Sequence, residues 1–169
     1  MPTEKNWIAL YSKPRSEFKA EAEIKRLGIE NYLPVITKVK QWSDRKKKVT
    51  EPVLHGYIFI RADEKERLEA LEINSIVRCV FDHGKLAIIP AWQIENLKNF
   101  LTEKEEFLIK EGIVKGTKIR IKSGPFEGII GVITSDSNKK TLNVNLDLLN
   151  RSIAAVIPSD VEIEVVNVL

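Results

Sequence analysis

The chain has 169 residues, with 27 Lys and Arg against 24 Asp and Glu and a net charge of +3. Hydrophobic residues make up 43% and charged residues 30%, near globular averages, which excludes general disorder, collagen and a pure coiled coil and leaves one or two small domains. No run approaches the roughly 18 apolar residues of a membrane-spanning helix, and MPTEKNW lacks the layout of a signal peptide, so the expectation is a cytoplasmic monomer with no membrane partner. A single cysteine, Cys79, and two histidines, His55 and His83, supply neither an internal disulfide nor the donors for a metal site or a His-based triad. No metal and no cofactor are expected.

In chain order, Trp7 to Tyr11 reads as a strand ended by Pro14. Ser16 is placed to cap a helix running to Leu27, with Ala20, Ile24 and Leu27 on one stripe and Gly28 as the stop. Extended segments follow at Glu30 to Leu33, Thr37 to Trp42, Val49 to Val53 and Tyr57 to Ile60. Asp63 with Glu66 three residues on forms a capping-box pattern that opens a helix through Leu71. Val77 to Phe81 and Leu86 to Ile89 are strands around Asp82-His83-Gly84, and Pro90 precedes a third helix, Ala91 to Leu101. Strands and helices without regular βαβ repetition predict an α+β domain over residues 1–101, a mixed or antiparallel sheet flanked by helices.

Within that domain the charge is localised. Lys38 to Lys48, KVKQWSDRKKK, carries Lys38, Lys40, Arg45, Lys46, Lys47 and Lys48 against Asp44, a net +5 that leaves the rest of the chain at −2. One reading is a solvated turn that keeps a sheet edge from aggregating. The other is a phosphate-contacting finger on a hairpin, with Trp42 offering a stacking face. The strand Gly56 to Arg61 is also two-sided: period two puts Tyr57 and Phe59 on one face and Ile58 and Ile60 on the other, and Trp7, Ala9 and Tyr11 split in the same way from Ile8 and Leu10. Strands apolar on both faces must be central. Tyr57 and Phe59 are then either core under a helix or an aromatic patch for a protein partner.

Thr102 to Glu111, TEKEEFLIKE, is charge-rich and reads as a flexible linker, its first half alternatively extending the third helix. From residue 112 to 169 the helical period disappears, and KIRIKS, GIIGVIT, TLNVNL, SIAAVI and VEIEVV predict five short strands of a small SH3-like β-barrel. Seven basic and six acidic residues make this domain nearly neutral. Ser123 to Gly131, SGPFEGIIG, is glycine-rich but lacks the GK[ST] helix start of a phosphate loop, so Gly124, Gly128 and Gly131 read as unusual φ values and close strand crossings. Catalysis has no other foothold: the acids sit in patterns typical of solvated helical faces, and neither histidine has a partner nearby in sequence. The chain is not expected to be an enzyme.

These motifs, taken in order, resemble the NusG family of transcription elongation factors along nearly the whole chain. Trp7 to Glu17 is similar to the family's opening strand and helix start. Tyr32-Leu33-Pro34, Gln41 to Lys48, Glu51-Pro52 and Gly56 to Phe59 look like the rest of its N-terminal domain. Lys115-Gly116, Ile119-Arg120-Ile121, Ser123 to Gly128 and Gly131 resemble its KOW motif. The tryptophan-containing basic hairpin looks more like the specialised, operon-directed branch of UpxY and RfaH type than like the housekeeping factor.

The resemblance implies a transcription elongation and antitermination factor that suppresses pausing or termination by binding RNA polymerase at its clamp helices. Tyr11, Tyr57 and Phe59 match the docking surface. Lys38, Lys40, Trp42, Arg45, Lys46, Lys47 and Lys48 would lie toward DNA upstream of the elongation complex, and Lys13, Arg15 and Lys19 near the exposed non-template strand. Phe126 matches a loop residue that contacts a small-subunit ribosomal protein or the termination factor Rho. His55 stands where the family usually has proline, and Asn150 where glycine commonly precedes Arg151; Asn tolerates the left-handed conformation, so that turn should persist. A ribosome-associated RNA-binding protein with a KOW domain is the alternative. The glycines, Pro125 and the Ile/Val density of the C-terminal domain favour a stable β-fold over a helical form.

Overall fold

The computed structural model describes residues 3–102 and 107–167 and divides after Trp92 into two compact units. In chain order the first unit holds β1 (Asn6–Ser12), α1 (Glu17–Arg26), β2 (Glu30–Tyr32), β3 (Val35–Gln41), β4 (Lys46–Pro52), β5 (Tyr57–Ala62), α2 (Glu64–Leu71), β6 (Ile76–Cys79), β7 (Phe81–Asp82), β8 (Lys85–Leu86) and β9 (Ile88–Ile89). The main sheet runs β2-β5-β1-β6, with β9 on the same side of β1 as β6. Its strand pairings, among the described residues, are all antiparallel. The two strands that are apolar on both faces, β1 and β5, are central, as their patterning requires.

One face of this sheet carries the helices. Ile8, Leu10, Ile58 and Ile60 pack with Ala20 and Ile24 of α1, Ala70 of α2, and Ile29, Leu33, Ile76 and Cys79. Leu27 departs from the expected stripe and is 45% exposed. The helix ends at Arg26, and Ile29, which follows the left-handed Gly28 (φ 72°), takes the buried place at 2% exposure. Ser16 is the N-cap of α1, but its hydroxyl turns to the Pro14 carbonyl instead of the helix N–H groups. The α2 capping box is complete: the Glu66 N–H donates to Asp63 Oδ1 at 2.8 Å and the Asp63 N–H donates to Glu66 Oε2 at 3.0 Å.

The two strands expected around Asp82-His83-Gly84 are each interrupted. Their outer parts, β6 and β9, join β1, while β7 and β8 form a small hairpin. His83 (φ 49°) and Gly84 (φ 77°) are its two turn residues, and positive φ at both matches the twist of the flanking strands.

The second unit begins within α3 (Ala91–Thr102) and continues with β10 (Leu108–Glu111), β11 (Lys118–Ile121), β12 (Ile130–Asp136), β13 (Lys139–Leu146), a 3-10 turn (Asp147–Leu149), β14 (Arg151–Ile157) and β15 (Ile163–Val165). All five strands expected after residue 112 are present. The segment read as linker differs in its second half: β10 pairs with β14 from Leu108 to Glu111, and residues 103–106 of that segment lie outside the described residues. The sheet order is β10-β14-β13-β12-β11-β15, an open path whose outer strands do not pair among the described residues, so the expected closed barrel is not seen there. Period-two sequence specifies strands, whereas closure needs a register between the first and last strands that no local pattern encodes.

Gly131 shows why small residues are needed here. A Cβ at this position would lie 2.5 Å from the Asn143 carbonyl oxygen and 2.8 Å from Leu142 Cδ1, so only glycine lets β12 approach β13 this closely. Asn150 closes the 3-10 turn in the left-handed region (φ 51°), and the turn persists without glycine.

The expected domain 1–101 and the compact unit 1–92 differ over α3, which packs against the C-terminal sheet. Asn96 Nδ2 donates to the Ile130 carbonyl at 2.8 Å, and the Ile130 N–H donates back to Asn96 Oδ1 at 2.7 Å. Phe100 is fully buried with its ring 5.4 Å from that of Phe126. Replacing Asn96 by Ala leaves both backbone groups of Ile130 without these partners, so Asn96→Ala should cost about 1–3 kcal/mol in urea unfolding, whereas Glu95→Ala on the exposed side should stay within about 0.5 kcal/mol.

Candidate functional site

The face of the main sheet opposite the helices is aromatic. Tyr11 of β1 sits across from Tyr57 of β5, with ring centroids 4.9 Å apart, and Tyr32 of β2 stacks near Phe59 at 6.3 Å. Trp7 and Ala9 complete the row. Burial is graded along it: Phe59 is 0% exposed and Tyr57 9%, while Tyr11 is half-buried. The patch expected at Tyr57 and Phe59 is therefore inside the protein, and Tyr11 is its accessible member.

Arg78 extends this row and was not foreseen. Its guanidinium carbon lies 4.7 Å from the Tyr11 ring centroid, because β6 pairs with β1 so that Arg78 falls opposite Tyr11. The exposed cation over an aromatic face is an arrangement worth roughly 0.5–1 kcal/mol. A strand pairing between residues so far apart leaves no local sequence signal.

Glu17 is a second residue missed by sequence reasoning. Its side chain is buried at the start of α1, and Oε1 accepts the Gly56 N–H at 2.9 Å. The Gly56 carbonyl in turn accepts the Ser12 N–H at 2.9 Å. Both backbone groups of the residue before Tyr57 are thus fixed, one by α1 and one by the end of β1. Gly56 has φ 84°, which a side chain would strain, and this is the turn that delivers Tyr57 into β5.

Lys13, Arg15 and Lys19 are all exposed on the segment that leaves β1 and enters α1. Lys13 Nζ donates to Asn74 Oδ1 at 3.1 Å and its backbone N–H donates to the Ser75 carbonyl at 2.8 Å. Arg15 adopts φ 59° in the turn before the helix. The three cations follow directly from Tyr11 in the chain, so the basic segment adjoins the accessible end of the aromatic row.

The densest charge lies on a two-stranded ribbon, β3 with β4, that shares no strand with another sheet among the described residues. The turn is Trp42 to Arg45, closed by the Trp42 N–H donating to the Arg45 carbonyl at 2.7 Å. Lys46, Lys47 and Lys48, expected between the strands, lie within β4. The register sets Lys40 opposite Lys47 and Lys38 opposite Val49 on one face, and Val39 opposite Lys48 and Gln41 opposite Lys46 on the other. Trp42 belongs to the first face: Lys47 Nζ is 4.7 Å and Arg45 Cζ 6.0 Å from its ring centroid. Lys38, Lys40, Arg45, Lys46, Lys47 and Lys48 are all exposed.

Lys40 differs from the other ribbon cations because it is hydrogen-bonded to Glu51 at the base of the ribbon. That bond, with weaker Coulombic help from Lys40 itself, Lys38 and His55, lowers the Glu51 carboxyl below its ordinary value. A depressed carboxylate pKa means the pairing is fully present above the usual carboxylate range and is lost as pH falls through the lowered value.

Phe126, expected as a partner contact in the C-terminal unit, is 2% exposed against Phe100. Among the described residues no three His, Cys, Asp or Glu side chains gather to hold a metal ion.

The family described as "Transcription termination factor nusG" matches residues 5–98. Among solved structures, one described as "Domain interaction in Thermotoga maritima NusG" is similar at 19% identity, covering 94% of this chain and 97% of that chain with a TM-score of 0.51, which shows a shared fold. The structure of the MjSpt4:Spt5 complex in conformation A is similar at 15% identity over 95% of this chain and 97% of that chain, but its TM-score of 0.30 adds no argument about fold.

The burial gradient separates two substitutions. Phe59→Ala empties a core site and should destabilise the protein by about 3–5 kcal/mol. Tyr11→Ala, at the half-buried end of the same row, should cost less, and thermal unfolding followed by circular dichroism distinguishes the two.

Proposed function

Because the chain belongs to the NusG family of transcription factors over residues 5–98, we propose that it binds RNA polymerase at the clamp helices and suppresses pausing or termination, as an operon-directed member of the UpxY and RfaH type. The observation that supports docking is the two-sided pairing of β1 with β5. One face of the sheet is closed by α1 and α2, so the other is left for aromatic residues that the helices do not use. Tyr11, with Arg78 over its ring, is the point of first contact, and Tyr57 and Phe59 continue the same row into the buried part of that face. Such a factor acts by binding energy and needs no bond chemistry or cofactor, and its place of work is the cytoplasm.

The cations have separate tasks in this reading. Lys13, Arg15 and Lys19 lie beside the docking row and face the non-template strand, while the ribbon reaches DNA of the elongation complex through Lys38, Lys40, Arg45, Lys46, Lys47 and Lys48 around Trp42. Residues 1–101 form the polymerase-binding domain, 102–111 the connection, and 112–169 a KOW domain whose Phe126 loop meets a small-subunit ribosomal protein or Rho. Phe126 is packed against Phe100, so that contact requires α3 to withdraw.

The test is binding of purified RNA polymerase to the full chain. Tyr11→Ala should weaken binding roughly tenfold or more, in line with loss of an aromatic interface anchor worth about 2 kcal/mol, with the circular dichroism spectrum unchanged. Tyr57→Ala combined with Phe59→Ala removes buried side chains, so its binding is read only where the circular dichroism spectrum shows it folded: a folded double variant that still binds polymerase with unchanged affinity rejects these two residues as part of the docking surface. Unchanged affinity in a folded Tyr11→Ala variant rejects the docking surface, and recovery of ribosomal subunits without polymerase from cell extract rejects the function.

A further inference from the structure

We propose that the β3–β4 ribbon is built to enter the major groove of duplex DNA with its two faces turned to the two phosphate backbones, and that Trp42 orients cations there instead of stacking on bases. This deepens the nucleic-acid part of the proposed function and rests on it. Three observations on the ribbon lead to this geometry.

The cations occupy both faces. The register gives Lys38 and Lys47 to the Trp42 face and Lys46 and Lys48 to the opposite face. A ribbon lying flat on a single strand would bring one of these pairs to the phosphates and point the other at solvent. Both pairs find phosphates only when nucleic acid lies on both sides. Both faces are exposed along most of β3 and β4, so such a ligand can reach them.

The dimensions agree. A sheet with side chains on both faces is about 10 Å thick, and the major groove of B-form DNA is about 12 Å wide and admits a two-stranded ribbon. The turn Trp42 to Arg45 is tight enough to lead, because the Trp42 N–H and the Arg45 carbonyl close it directly. The anionic walls of the groove complement a segment that is +5 in eleven residues.

Trp42 argues against a single strand as the intended ligand. A base stacking on a side of the ring that already carries a cation would have to displace that cation. Here the ring, 45% exposed, already has Lys47 at 4.7 Å and Arg45 at 6.0 Å from its centroid. Trp42 therefore holds two cations at the tip of the ribbon, where a groove would receive them. Lys40 does not join these two at the ring, because Glu51 draws its ammonium toward the base of the ribbon.

The experiment measures the salt dependence of binding of the intact chain to a short mixed-sequence DNA duplex and to one of its strands, with no polymerase present. Lys38→Ser with Lys47→Ser is compared with Lys46→Ser with Lys48→Ser and with the four changes together. Each pair should lower the log-log salt slope on duplex by roughly 2, and the four by roughly 3 to 4. Wild type should prefer the duplex, and Trp42→Ala should leave single-strand binding nearly unchanged. If a serine pair alters the circular dichroism spectrum, the same positions changed to Gln, which keep side-chain length, give the reading. A slope change confined to one face overturns the proposal. So does single-strand binding as tight as duplex binding and weakened tenfold by Trp42→Ala, or no salt-dependent duplex binding by wild type. Because polymerase is absent, failure here leaves the docking surface at Tyr11 standing, and failure of that docking leaves this measurement unaffected.

Discussion

The antiparallel pairing of β1 with β5 is the constraint on which the N-terminal unit depends. Each strand is apolar on both faces, so each pair of opposite residues commits one layer to the helices and one to the aromatic row. Ile8 opposite Ile60 and Leu10 opposite Ile58 bury against α1 and α2; Ala9 opposite Phe59 and Tyr11 opposite Tyr57 form the other side. A slip of one residue would exchange the two layers and place tyrosines under the helices. The Glu17 carboxylate and the Ser12 N–H hold Gly56 from either side and so fix the point from which β5 starts.

The same arrangement accounts for the distribution of polar function around the sheet. Tyr11 lies at the end of β1 where burial gives way to solvent, and the basic segment Lys13 to Lys19 begins two residues later. Arg78 arrives from β6 on the other side of Tyr11. An aromatic row ending in cations joins an apolar contact to an electrostatic one, which fits a family whose members work in transcription. The ribbon, by contrast, has little core of its own. Its positions are largely exposed, and its strands are held by backbone pairing, Ile36 and Val53 near its base, and the Lys40–Glu51 pair. Such a segment keeps its cations apart from the packed sheet, where their burial would be costly.

In the C-terminal unit the controlling contact is the reciprocal pair of hydrogen bonds between Asn96 and the Ile130 backbone. It attaches α3 at the start of β12, beyond the loop that carries Phe126, and Phe100 then fills the space beside that ring. An apolar loop residue that reads as accessible from its motif is thereby buried. The glycine at 131 serves the same unit differently, by allowing β12 to cross β13 at a distance no side chain permits.

Features that depend on neighbours within a few residues were legible in the amino-acid order. Period two marked the strands from Trp7, Tyr57, Lys118 and Thr141, the Asp63 and Glu66 spacing marked the α2 start, and the concentration of lysines marked the ribbon. The family resemblance was legible for the same reason, since it rests on ordered local motifs. Where distant segments meet was visible only in the folded chain. Arg78 beside Tyr11, Glu17 on Gly56, the division of ribbon cations between two faces, the pairing of β10 with β14 and the cover of α3 over Phe126 each join residues whose contact leaves no local pattern. Strand order and register are set by packing summed over the whole unit, so exposure, and with it the accessible part of a site, cannot be read from any one segment.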